Sequence, residues 1–210
     1  MGRPKVRADI ALRKGYHSPQ IDVDVRLNTN EAPVAPPAGF HEAIHGALDR
    51  IAWHRYPDRA AAELRAALAA RYGREPGEVF VANGSNEVLQ TLLLTYGGPG
   101  RTVAYFEPTF AMHGHIAKTV GSTTVEGDRA EDYSLDLAEV ERVVAEHQPD
   151  VMFLCSPNNP SGMTDPPGTI ERVLEIMGDT DGLLVVDEAY GQFADHSAVS
   201  YTHLTLPTKA

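Results

Sequence analysis

Of its 210 residues the chain spends one on cysteine, Cys155, and four on lysine. A lone thiol cannot close an internal disulfide, which fits a reducing compartment. No stretch approaches the ~18 consecutive apolar residues of a membrane span. The basic start Met1-Gly2-Arg3-Pro4-Lys5 is not followed by the apolar run of a secretory signal, so cytoplasm is the expected location. Net positive charge is lacking too: the formal charge is -11, and the Lys and Arg residues are scattered. That argues against sequence-independent nucleic-acid binding, which needs clustered cations, but leaves room for a small anion held by local donors. Neither G-x-G-x-x-G nor G-x-x-x-x-G-K-[ST] occurs, which weakens a dinucleotide or P-loop reading. The hydrophobic fraction of 42% and charged fraction of 22% are those of a globular chain that buries a core. The length suits one large domain, or one domain and part of another.

The first 35 or so residues are rich in Pro, Asn and charge and read as an extended arm. A helix is expected over about 38–52, then the loop Arg55-Tyr56-Pro57-Asp58. Asp58 is placed to cap a helix with apolar residues at Ala60, Leu64, Leu68 and Tyr72, which Gly73 stops. From about residue 79 short apolar runs alternate with helical ones. Strands are expected at Val79–Ala82, Thr102–Phe106, Ser122–Val125, Val151–Cys155 and Leu183–Val186. Between them helices are expected at Glu87–Tyr96, Thr109–Val120, Leu137–His147 (capped by Asp136) and Glu171–Met177. Such alternation predicts an α/β fold with a mostly parallel sheet, whose ligands gather at the carboxyl ends of the strands.

Four loops at those ends carry unusual polar residues. In Asn83-Gly84-Ser85-Asn86-Glu87 the glycine permits a tight turn, and the first amides of the following helix make an anion site. Plain capping by Ser85 accounts for the same residues. In Glu107-Pro108-Thr109-Phe110 the aromatic ring can stack on a flat ligand or serve as ordinary core. In Ser156-Pro157-Asn158-Asn159-Pro160-Ser161-Gly162 two asparagines are locked between prolines, more specification than a simple turn needs, and such rigidity aims an amide. In Leu183-Leu184-Val185-Val186-Asp187-Glu188-Ala189-Tyr190 an apolar strand runs into a carboxylate, which burial makes costly without a cation or hydrogen bonds. A protonated ring nitrogen, a local Arg or a helix cap would each serve.

Together these segments, with Leu27-Asn28-Thr29-Asn30-Glu31-Ala32-Pro33 and Arg55-Tyr56-Pro57-Asp58, resemble the fold-type I pyridoxal-phosphate (PLP) aminotransferases, and within them the histidinol-phosphate branch. The resemblance implies a three-layer αβα large domain with a mostly parallel sheet over residues 79–200. Before it would come an arm over 1–35, and a helical segment over 36–78 that joins the small domain. It implies that Asp187 pairs with the pyridine nitrogen, that Asn159 and Tyr190 hydrogen-bond the ring 3-oxygen, and that Phe110 stacks on the ring. The amides of Gly84, Ser85 and Asn86 would hold the phosphate, Tyr56 would reach the cofactor of the partner in a homodimer, and Tyr16 and Asn30 would stand at the substrate entrance. The reaction implied is transfer of an amino group between histidinol phosphate and 2-oxoglutarate, in histidine biosynthesis. Other members of the fold, aromatic or aspartate aminotransferases or threonine-phosphate decarboxylase, use the same cofactor contacts. A non-catalytic fragment of the fold is the alternative of a different class.

What the family pattern requires and the chain does not show is the lysine that forms the Schiff base. Lys5 and Lys14 lie in the arm, Lys118 sits late in a helix, and Lys209 belongs to a segment, Tyr201 to Ala210, that fits no family pattern and reads as foreign. Negligible transaminase activity is therefore expected of the chain alone. No metal site is expected: His41 and His45 share a helix face without a supporting carboxylate or cysteine, and His113 and His115 point apart. Cys155 reads as packing.

Overall fold

A computed structural model describes residues 4–11, 19, 21–26, 28, 29, 31, 32, 34–178 and 180–201, and divides into two compact units, 1–79 and 80–210. The first unit holds α1 (Ala8–Ala11), α2 (Phe40–Leu48), α3 (Ala62–Tyr72) and a single 3-10 turn, Pro76–Glu78. Asp58 does cap the entry to α3: its carboxylate accepts from the amides of Ala60 at 2.9 Å and Ala62 at 2.8 Å. Gly73, with φ 63°, ends the helix in the left-handed conformation that suits glycine. The covered face of α3 is not the expected stripe. Leu64 and Tyr72 are exposed, while Leu68 is half-buried and Ala69 fully buried; Arg65, one turn before Ala69, donates to the carbonyl of Pro76.

The second unit runs α4 (Ser85–Tyr96), β1 (Thr102–Glu107), α5 (Met112–Val120), β2 (Thr123–Asp128), α6 (Leu137–His147), β3 (Val151–Cys155), α7 (Thr169–Met177) and β4 (Leu183–Asp187). All strands pair in parallel, in the order β2-β1-β3-β4. Val79–Ala82 is extended at Val79 but joins no strand, since β-propensity becomes a strand only against a partner edge.

Alternate residues of β1 and β3 point to opposite faces, and each face meets two helices. Ala104, Phe106, Met152 and Leu154 pack against Val140, Val143 and Val144 of α6 and Val173 and Met177 of α7. Val103, Tyr105, Val151 and Phe153 pack against Leu89 and Leu93 of α4 and Ile116 and Ala117 of α5. The result is the three-layer αβα arrangement, with β3 buried along its whole length. Asp136 caps α6, accepting from Ala138 N at 2.9 Å.

The chain starts at β1, crosses outward to β2, then returns past β1 to β3. The reversal makes the gap between β1 and β3 the topological switch point, where open parallel sheets take their ligands. α4 reaches β1 through the short link 97–101, so its N-terminus lies at the carboxyl end of the sheet.

Candidate functional site

The best-defined polar contact in the interior centres on Asp187, the last residue of β4 and only 9% exposed. Its Oδ2 is 3.0 Å from Nε2 of His113, and its Oδ1 accepts from the amide of Ala189 at 3.0 Å. Burial works to raise the carboxyl, but the His113 hydrogen bond and charge and the Ala189 amide outweigh it and hold Asp187 below the ordinary carboxylate range. An ionised carboxylate only accepts, so Nε2 of His113 carries the proton.

His113, fully buried, lies in the first turn of α5. Its ring stacks on Phe153 of β3 (centroids 4.6 Å apart, planes 3° apart) and meets Phe110 edge-on at 5.5 Å. Two aromatic neighbours fix the imidazole, and the imidazole fixes the carboxylate. Sequence reasoning missed this partner. The signal was present in the spacing: Phe110 and His113 are three residues apart where β1 passes into α5, hence on one side of the chain.

The turn after β3 is held by its first asparagine. Asn158, 2% exposed, donates from Nδ2 to the carbonyl of Pro108 at 3.0 Å and to Oγ of Ser161 at 2.8 Å. The Pro108 contact ties the β3 turn to the β1 turn across the switch point. The backbone closes the same turn, Asn158 N donating to Met163 O and Gly162 N to Asn158 O, each at 2.7 Å. The X-Pro bonds at Pro108, Pro157 and Pro160 are cis. With Asn158 spent on bracing, Asn159 is half-buried and its side-chain amide makes no hydrogen bond among the described residues.

At α4 the N-cap is Gly84, φ 84° and ψ 165°, and not Ser85, which is the first helical residue. The geometry is one glycine adopts freely. Glu87 turns back to accept from Asn83 N at 2.7 Å, and Glu87 N donates to Gly84 O at 3.2 Å. The amide of Gly84, expected among the phosphate donors, donates instead to Ala82 O at 3.0 Å, which leaves the amides of Ser85 and Asn86, not Glu87, as the uncommitted donors of the first turn. Tyr190 is half-buried just after Asp187, at the start of the 3-10 turn Gly191–Phe193.

Tyr56 belongs to the first unit and is 98% exposed. Tyr16 and Asn30 lie outside the described residues, as do Lys14, Lys209 and the rest of 202–210. Lys118 lies in the last turn of α5 and pairs with Glu126 of β2 at 2.9 Å. Cys155 stands opposite Asp187 in the β3–β4 register, and burial pushes its thiol up to about 11, which suits packing. Among the described residues no group of His, Cys, Asp and Glu is assembled to hold a metal, and no helix is long and apolar enough to cross a membrane.

Known proteins resemble this chain in sequence and in fold. The chain is 47% identical over 187 residues to the histidinol-phosphate aminotransferase of Frankia casuarinae, covering 85% of this chain and 47% of that relative. It is 42% identical over 208 residues to a histidinol-phosphate aminotransferase sequence of Mycolicibacterium smegmatis, covering 92% of this chain and 94% of that one. The crystal structure of histidinol-phosphate aminotransferase from Sinorhizobium meliloti in complex with pyridoxal-5'-phosphate superposes with a TM-score of 0.70 at 24% identity, covering 78% of this chain and 43% of that chain; it is similar in fold. The chain spans about half the length of most of the relatives it matches. The model of the family described as aminotransferase class I and II matches residues 22–207, and the chain belongs to that family.

Proposed function

We propose that these residues form the PLP-binding half of a histidinol-phosphate aminotransferase, which exchanges an amino group between histidinol phosphate and 2-oxoglutarate in histidine biosynthesis. The observation that carries the reading is Asp187: a buried carboxylate held ionised at the carboxyl end of a strand, beside a turn whose asparagine is uncommitted. An anion in that setting suits a cationic partner, and a protonated pyridine nitrogen is one. The remaining donors match the rest of the cofactor: two free helix-terminal amides for a phosphate, and the amide of Asn159 and hydroxyl of Tyr190 for an oxyanion.

Bound there, PLP supplies an electron-withdrawing ring that stabilises negative charge on the amino donor's Cα. The chain's own part is to keep the site in order. His113 fixes the Asp187 carboxylate, which would keep the ring nitrogen protonated, and Phe110 would lie against the ring. Tyr16 and Asn30 are assigned to the substrate entrance, and Tyr56 to the phosphate of a partner in a homodimer. A cytoplasmic location goes with the pathway.

Titrating the chain with PLP and following absorbance and tyrosine or tryptophan quenching tests the reading. Saturable binding weakened about tenfold or more by Asp187→Ala supports it, as expected for loss of a charge-assisted contact; binding indifferent to that change sinks it. With histidinol phosphate and 2-oxoglutarate added, the chain alone should show negligible turnover, since Lys118, the one described lysine of the second unit, sits late in α5 and is paired with Glu126.

A further inference from the structure

The turn presenting Asn159 is closed by its own hydrogen bonds, yet it is joined to the sheet by a charge pair that the proposed chemistry does not use. Arg129 is the first residue after β2, and its side chain is only 1% exposed. Nη2 donates to the carbonyl of Cys155 at the end of β3 (3.3 Å), and Nη1 to that of Tyr133 (3.2 Å). Nη1 also lies 3.7 Å from Oδ1 of Asp165, whose side chain is 3% exposed.

Asp165 is where the turn ends. Its amide donates to Oγ of Ser156, the turn's first residue, at 3.0 Å, and its carbonyl faces Nε2 of His196, after β4, at 2.8 Å. Ser156 in turn donates from its amide to the carbonyl of Asp187 at 3.1 Å. Arg129 thus spans the ends of β2 and β3 and faces the carboxylate of Asp165, whose backbone joins both ends of the turn and the segment beyond β4.

Burial disfavours both charges, lowering Arg129 and raising Asp165, with their mutual attraction opposing it. Apolar side chains of similar size would serve stability as well or better, so the charges add something else, and a fixed register is the best-attested use of such a pair. We propose that Arg129 and Asp165 are positioning residues that lock the 156–165 turn onto the carboxyl ends of β2 and β3 and so set where Asn159 presents its amide. The lock is independent of any ligand; its link to the cofactor's 3-oxygen rests on the PLP reading.

The test is the apolar double replacement Arg129→Met with Asp165→Leu in the full chain, alongside Asn159→Ala. Hydrogen exchange reads the lock. The amides of Asn158 and Gly162 should exchange about tenfold faster in the double variant while those of β3 keep their rates. Unchanged turn exchange overturns the proposal, whether or not PLP binds. Competition between PLP and 3-deoxypyridoxal phosphate reads the link. The unmodified chain should favour PLP, and both variants should lower that preference about tenfold, the worth of the one charge-assisted hydrogen bond from Asn159, with Tyr190 keeping its own share. A ratio retained in the double variant overturns the positioning role. Failure of the unmodified chain to bind either compound overturns the cofactor reading, and the exchange rates then decide the lock alone. Should the double variant not fold, Arg129→Lys keeps the charge but loses the planar fork, and the same two measurements apply.

Discussion

Residues up to Val79 and residues from Phe80 onward are written in the same alphabet of amphipathic helices and turns, but they bury very different amounts of it. Among the described residues of the first unit only Ala69 is a buried apolar side chain; every other one belongs to the second. In α2 the row Phe40, Ile44 and Leu48 is 46%, 39% and 40% exposed, although its four-residue spacing is that of a core-facing stripe. In α6 a comparable row, Val140, Val143 and Val144, is buried against the sheet. Periodicity tells which face of a helix is apolar. Whether that face is covered depends on a layer to lie against, and the parallel sheet of the second unit supplies one on both sides.

Substitutions can sharpen this contrast. The largest loss is expected from Phe153→Ala, which empties the layer beneath His113 and should lower unfolding free energy by about 3–5 kcal/mol in a denaturant melt; a loss under about 1 kcal/mol would deny β3 its central place. Gly114→Ala comes next. A Cβ there would stand 2.6 Å from Cζ of Tyr105, whose hydroxyl is committed to Glu126 at 2.6 Å, so the ring cannot easily swing away. Overpacking of this kind costs about 1–3 kcal/mol, and thermal melts should show it.

Acid dependence probes the site rather than the core. Because the folded Asp187 carboxyl lies below its unfolded value, its contribution is present above the unfolded pKa of about 3.9 and is lost as pH falls through the folded value. Melts of Asp187→Asn should therefore fall less steeply than those of the unmodified chain below about pH 4; parallel curves would mean that the pairing with His113 is not felt. Asp136→Ala, removing the α6 cap, should cost about 1 kcal/mol. Smallest of all, Ile44→Ala on the open face of α2 should stay within about 0.5 kcal/mol, and a larger effect would show that something covers that face.

Much of the second unit was legible beforehand. Val151–Cys155 and Leu137–His147 appear with the expected bounds, the strand because an apolar run bounded by polar turns has only the sheet interior to enter, the helix because Asp136 marks its start. Other boundaries moved where local chemistry competed. The helix expected from Thr109 begins at Met112, since Thr109 donates its amide to Glu107 Oε2 and a turn closes through Phe110 first. Val79–Ala82 has strand-forming residues and no neighbour, and the N-cap of α4 passes from Ser85 to Gly84 because the backbone there takes a conformation only glycine adopts freely.

At the site, the sequence by itself determined which residue types gather at the carboxyl ends of the strands: an acid ending β4, two asparagines between prolines after β3, a glycine before α4 and a serine at its start. These follow from local rules of turn, cap and alternation, which act over a few residues. Tertiary structure decided their division of labour. It buried Asn158 as the brace to Pro108 and left Asn159 free, matched Asp187 with His113 seventy-four residues away, and joined Arg129 to Asp165 across two strands. No local rule reaches that far, because hydrogen bonds and charges choose partners by distance in space, and that distance exists only once the sheet has set the strands side by side.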